Sequence, residues 1–225
     1  MNPVFVVRLA GRAIPDTVFV SLALTAVLAL ALVFIRRRLR AQRIGLWQAA
    51  VETFAGWIRD LVEEVFEDNT ERYVPLIGGL MVFIATANLL SLLPFVRPPT
   101  ADLSTTVALA LVVFFAIPYF GIRRLGVGGY LRKFAEPHPL LIPFNLIGEV
   151  TRTIALAVRL FGNVMSGQMI GAILLVVAGA LVPIPLLALG VLTGLVQAYI
   201  FGVLAAVYIA AAVQTDSTTK EETHG

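Results

Sequence analysis

The sequence contains no cysteine. That excludes a disulfide framework, a thiolate metal site and a cysteine nucleophile. Its two histidines, His138 and His224, stand far apart and are too few for an imidazole metal site. Charge is scarce as well. Only 14% of the 225 residues are charged, where soluble domains carry about 25%. There is no Walker loop, no Gly-x-Ser-x-Gly, no His-Glu-x-x-His and no paired acidic dyad. The chain therefore carries no recognisable equipment for bond-breaking chemistry, and neither cofactor nor metal is expected. Nor does any segment repeat, which argues against a secondary transporter built from duplicated halves.

What is abundant is apolar. Hydrophobic residues make up 59% of the chain and the mean hydropathy is +0.90. A soluble chain of this length could not hide so much apolar surface in one core. The chain is read as an integral membrane protein. Its net charge of +3 and pI near 9.6 do not point to nucleic acid, because basic residues concentrate in the cytoplasmic loops of polytopic proteins.

A bilayer span takes about 20 apolar residues, and the pattern predicts an all-α fold with five spans. The first, over 14–36, is uncharged from Thr17 to Ile35 and too long for a signal-peptide core. It is followed by Arg36, Arg37, Arg38 and Arg40 rather than a small-residue cleavage site. Over 44–72, Trp47, Val51, Phe54, Ile58, Leu61, Val65 and Phe66 recur at helical spacing among charged residues. This predicts an amphipathic helix on the cytoplasmic membrane surface. Its acidic second half is unusual for attachment to anionic lipid, which leaves a protein partner on that face as the alternative to a plain interfacial helix.

Further spans are predicted over 74–94 and 102–120, followed by a Gly-rich basic loop containing Arg123, Arg124, Arg132 and Lys133. Glu136-Pro137-His138-Pro139 reads as a rigid turn. Two long apolar stretches, 143–181 and 185–213, predict a tilted helical hairpin, and 214–225 a polar tail. Five crossings from an outside N-terminus leave both basic loops and the tail in the cytoplasm. Only Arg8, Arg12 and Arg97 fall outside, as the positive-inside rule prefers.

The fourth span carries polar residues where lipid should be. At about 100° per residue, Glu149, Arg152, Arg159, Asn163 and Ser166 share one sector of about 100°. Glu149 and Arg152 lie near the cytoplasmic end, where snorkelling to the interface or an i,i+3 ion pair would each accommodate them. Arg159 is too deep to snorkel. An arginine in mid-bilayer costs at least about 2.5–3.5 kcal/mol, so it must face protein or water. Because it does not release its proton, it acts as a fixed cation rather than as an acid or base.

In the last stretch Gly190, Gly194, Gln197, Phe201, Ala205 and Tyr208 lie on one side. Gly190/Gly194 and Gly167/Gly171 permit close helix approach. Gln197 is either a neutral partner for Arg159 or a simple interhelical hydrogen bond. Asn88 suits an interhelical hydrogen bond, and Asp102 an N-cap.

The segment Ala157-Val-Arg159-Leu-Phe-Gly-Asn163-Val-Met-Ser-Gly167 closely resembles the signature of subunit a of F-type rotary ATP synthases. Asn88-Leu-Leu-Ser-Leu-Leu-Pro94, Pro99-Thr-Ala-Asp102 and Gln197-Ala-Tyr-Ile-Phe201 agree with it, and the likeness covers residues 14–213. The resemblance implies a non-catalytic stator subunit in the bacterial plasma (inner) membrane. Its hairpin would pack against a rotating ring of c subunits, with peripheral-stalk b subunits as further partners.

Two offset half-channels would reach the ring's carboxylate, and Arg159 would keep that carboxylate ionised and block leak between them. By the same resemblance Asn163, Gln168 and Asp102 belong to the outer half-channel. Glu149, Asn145 and Arg152 belong to the cytoplasmic one, Gln197 partners Arg159, and Ser166 and Tyr208 are further expected channel-lining residues. Many relatives carry an acidic residue at the position of Gln168 and a histidine or acidic residue at that of Gly190. Neither titrates here, so no proton relay runs through that pair. Protons remain the favoured ion, with sodium the other candidate. The alternative is an unrelated channel or carrier using Arg159 to bind anions.

Overall fold

The computed structural model describes residues 7–9, 12–14, 16–39, 46–66, 70–92, 98–135, 142–179 and 183–213. Among these the architecture is helical. Six helices are α1 (Asp16–Leu39), α2 (Leu46–Val65), α3 (Val74–Leu89), α4 (Leu103–Ala135), α5 (Ile142–Ala178) and α6 (Pro183–Val213). Short 3₁₀ turns at Thr70–Arg72, Leu90–Leu92 and Pro99–Ala101 punctuate them. One element is absent from the sequence reading: a two-stranded antiparallel ribbon, β1 (Val7–Leu9) and β2 (Arg12–Ile14), with Val7 opposite Ile14. The Glu136–Pro139 turn, Pro94, Arg97 and the tail lie outside the described residues.

Among the described residues three helices are long and apolar enough to cross a membrane, over Leu103–Arg132, Ile142–Val177 and Pro185–Val213. Apolar stretches in α1 (Val18–Phe34) and α3 (Val74–Leu89) are shorter. α3 alone reaches about 24 Å at 1.5 Å per residue, and its 3₁₀ extension brings it to about the 30 Å of a hydrocarbon core.

The core forms where α3, α4, α5 and α6 meet. Ile77, Ile84, Leu156, Leu160, Phe201 and Ile209 are completely or almost completely buried there. α3 and α6 run antiparallel, since Asn88 meets Gly194 while Met81 meets Gly202. Glycine is required at Gly202, because a Cβ there would run into the Met81 side chain.

α2 is the amphipathic helix expected over 44–72, and it spans Leu46–Val65. Part of its apolar face is packed against protein, with Ile58, Leu61, Val62 and Phe66 buried, while Phe54 and Trp57 stay exposed. Phe66 stacks on Tyr73 at 4.0 Å, Tyr73 meets the edge of Phe120 at 5.0 Å, and Trp57 stacks on Tyr199 of α6 at 5.7 Å. Arg59 bridges Glu63 and Glu71 on the exposed side. The buried part of the stripe packs on α3 and α6.

α4 also runs past its expected end at residue 120, through the stretch read as a Gly-rich loop. Gly126 alone leaves helical geometry, at φ 76° and ψ 167°, a conformation that favours glycine. Beyond this break the chain turns so that Tyr130 lies against Gly121, where a Cβ would stand 2.6 Å from the ring. Gly128 and Gly129 each weaken a helix by about 1 kcal/mol relative to alanine. The tertiary seat of Tyr130 outweighs that local preference.

Candidate functional site

α5 is the exposed member of the core. In its most apolar stretch 11% of residues are buried, against 56% in α6. The packed positions are Leu156, Ala157, Leu160 and Val164, at helical spacing. The polar sector flanks that stripe, and Arg159 projects from the exposed face beside Ala155, Gly162 and Ser166, also exposed. Among the described residues Arg159 has neither a hydrogen bond nor an ion pair. A guanidinium so placed is available to a carboxylate from another chain.

Near the start of α5 lies a cavity of about 320 Å³ between α4, α5 and α6. Asn145, Glu149, Arg152 and Tyr208, four residues singled out from the sequence, all line it, together with Tyr130 and Ile117. An Arg152 guanidinium nitrogen stands 3.8 Å from Glu149 Oε2, and the guanidinium lies 5.4 Å from the Tyr208 ring centre. Glu149 is largely buried, with its side chain 13% exposed, and its Oε1 has no hydrogen-bond partner among the described residues. The cavity thus combines a carboxylate, a cation, an amide and two phenols in a space that holds many waters.

A second, narrower cleft of about 50 Å³ opens farther along α5. Asn163 and Gln168 face Gly190 and Gly194 across it, with Asn88 of α3 and Ser91 of the following 3₁₀ turn closing it. It has room for a few waters. Its lining offers amides, a hydroxyl and backbone carbonyls but no titratable side chain. Glu149 lies ten residues before Arg159 and Gln168 nine after it. At 1.5 Å per residue these two side chains start about 15 Å and about 14 Å along the axis from the arginine, on opposite sides, while the cavities come nearer to it at Arg152 and Asn163.

A family model described as ATP synthase A chain matches residues 18–210. The chain belongs to that family. It is 50% identical over 197 residues to ATP synthase subunit a 2 of Acaryochloris marina, covering 85% of this chain and 84% of that one. To ATP synthase subunit a 1 of Chlorobaculum tepidum it is 50% identical over 200 residues, covering 88% and 90%. To subunit a 2 of Pelobacter propionicus it is 49% identical over 208 residues, covering 92% and 91%. Family membership and the apolar helices make it a membrane-embedded ATP synthase subunit.

Within this ATP synthase subunit three expected channel-lining residues lie apart from the two cavities: Asp102, Gln197 and Ser166, the last on the exposed face of α5. Asp102 caps α4: its Oδ1 accepts hydrogen bonds from the Ser104 amide at 3.0 Å and the Ser104 hydroxyl at 2.9 Å. Gln197 is buried, its Nε2 has no hydrogen-bond partner among the described residues, and no hydrogen bond joins it to Arg159.

Tyr130 was not among the expected site residues. Its signal in the sequence was only the Gly-rich stretch around it, which reads equally well as loop. Gly121→Ala is expected to unseat it, since overpacking of this kind costs about 1–3 kcal/mol. ATP-driven ion uptake per assembled complex should fall severalfold. Normal uptake in that variant would show that the seat is dispensable.

Proposed function

We propose that the subunit is the non-catalytic ion-translocating stator of a rotary ATP synthase, carrying protons between two offset half-channels by way of a carboxylate on an adjoining c ring. The supporting observation is the arrangement along α5: a charged cavity toward one end, a neutral cleft toward the other, and an exposed Arg159 between them. The membrane is the bacterial plasma membrane. With five crossings and the N-terminus outside, the larger cavity opens to the cytoplasm and the cleft to the exterior. The exposed α5 face packs on the ring, with Ala155, Gly162 and Ser166 leaving room for its helices beside Arg159. The acidic exposed side of α2 meets the peripheral-stalk b subunit.

The electrostatics decide what Arg159 does. Burial alone raises a carboxylate's pKa by up to about 3–5 units and would leave the ring site neutral. A guanidinium about 4 Å away contributes about 4 kcal/mol at an effective dielectric of 20, or about 3 units in the opposite direction. The two effects are comparable, so a carboxylate beside Arg159 ionises and one past it takes up a proton. Each charge crossing 100 mV releases about 2.3 kcal/mol, so several must be combined for each ATP.

The test is ATP-driven ion uptake into vesicles holding the purified complex, with and without sodium and with a protonophore. Acidification that ignores sodium and collapses with the protonophore is expected. Sodium accumulation that survives the protonophore would reassign the ion, and no uptake at all would overturn the function. Gln168→Leu is expected to lower uptake by no more than about twofold, because neither side chain releases a proton. Collapse of uptake with normal assembly would give Gln168 an essential part.

A further inference from the structure

Asn88 sits almost fully buried where three elements meet, and both ends of its amide are engaged. Nδ2 donates to the Gly194 carbonyl of α6 at 2.8 Å, and Oδ1 accepts from the Thr100 hydroxyl at 2.8 Å. Thr100 is completely buried in the 3₁₀ turn Pro99–Ala101. The approach to α6 is as close as it can be, since a Cβ on Gly194 would stand 2.9 Å from Asn88 Cβ. Asn88 and Gly194 also both line the neutral cleft opposite Asn163 and Gln168.

We propose that Asn88 is the positioning residue of the outer half-channel. It fastens the Gly190–Gly194 wall of α6 to α3 and, through Thr100, to the turn that leads into α4. The width and wetness of the cleft beside Gln168 then depend on two directed hydrogen bonds rather than on apolar contact, which allows helices to slide. Asparagine suits this role because its amide donates and accepts in one plane and stays neutral. Leucine would fill similar space while orphaning the Thr100 hydroxyl and drying the wall.

The proposal rests on the outer-half-channel reading of the cleft, and the test separates the two. Because the chain has no cysteine, Gln168→Cys and Asn145→Cys are each the single thiol of this subunit, and labelling in the assembled complex is read on its separated band. A membrane-impermeant maleimide is applied to right-side-out vesicles for the first reporter and to inverted vesicles for the second. With Asn88 intact, Gln168→Cys is labelled from outside.

Asn88→Leu or Thr100→Val is expected to slow that labelling about three- to tenfold, the range set by one interhelical hydrogen bond in a membrane. Thr100→Ser should restore it, and Asn145→Cys should be labelled at its original rate throughout. An unchanged or faster rate at Gln168→Cys, or equal slowing of both reporters, overturns the positioning role. No outside labelling of Gln168→Cys with Asn88 intact overturns the half-channel assignment itself. Thr100→Val, which leaves every helix sequence unaltered, carries the test if Asn88→Leu does not assemble.

Discussion

Arg159→Ala is expected to reduce ATP-driven ion uptake by at least about a hundredfold, because stranding one partner of a desolvated charge pair costs about 3–5 kcal/mol. Assembly should be nearly normal, since Arg159 makes no hydrogen bond or ion pair to the described residues and belongs to the exposed face of α5. Arg159→Lys is the more searching variant. It preserves the charge but replaces a planar, permanently protonated fork by a compact, strongly hydrated ammonium whose pKa moves on burial. A device that only needed a positive charge would tolerate lysine. One that must hold a carboxylate ionised in a dry place, without itself losing a proton, would not. Uptake by Arg159→Lys is therefore expected at background, with the complex purifying intact. Near-normal pumping would remove Arg159 from the centre of the mechanism.

Gly202→Val should abolish assembly for a purely steric reason. Gly202 lies beneath Met81 so closely that even a Cβ meets its Cγ and Sδ, and a branched side chain adds two methyl groups. Overpacking of a membrane core at such a contact costs about 1–3 kcal/mol, occasionally more. Here it would part α3 from α6, which also carries the Gly194 contact with Asn88. Met81→Ala is flexible enough in volume to rescue it. The double variant should recover part of the complex yield, and Met81→Ala alone should lower it, since truncating a buried methionine costs about 2–5 kcal/mol. If Gly202→Val assembles unaided, the two helices are not held by that close approach.

The glycines show how far the sequence could be read. Small residues one turn apart at Gly190/Gly194 and Gly167/Gly171 licensed close helix approach, but spacing does not say which of them is approached. Gly194 meets Asn88 and Gly202 meets Met81, while Gly167, Gly171 and Gly190 have open space where a Cβ would be. Those three are left free to admit water or another chain. Similarly, the alternation of apolar and charged residues in α2 defined a helix with one greasy face. Whether lipid or protein covers that face depends on how α3 and α6 pack, which no local pattern encodes.

The polar residues of α5 were legible for a different reason. Charge in an apolar helix is so costly that its presence marks a function whatever the fold, and helical periodicity then places Glu149, Arg152, Arg159 and Asn163 in one sector. The family likeness of Arg159–Asn163 likewise resides in the sequence alone. The Gly126 break, the folding back of Tyr130 and the division of the polar sector into two cavities required the neighbours. A cavity is the space left between helices, and its walls come from residues far apart in the chain: Tyr208 sits 59 residues from Glu149 and Asn88 sits 106 from Gly194. The chain by itself determined that it enters the membrane and which cation in α5 is exceptional. Only the packing of α3, α4 and α6 around α5 decided where water can reach, because access is set by surfaces that meet across the bundle and not by the order of residues along any one helix.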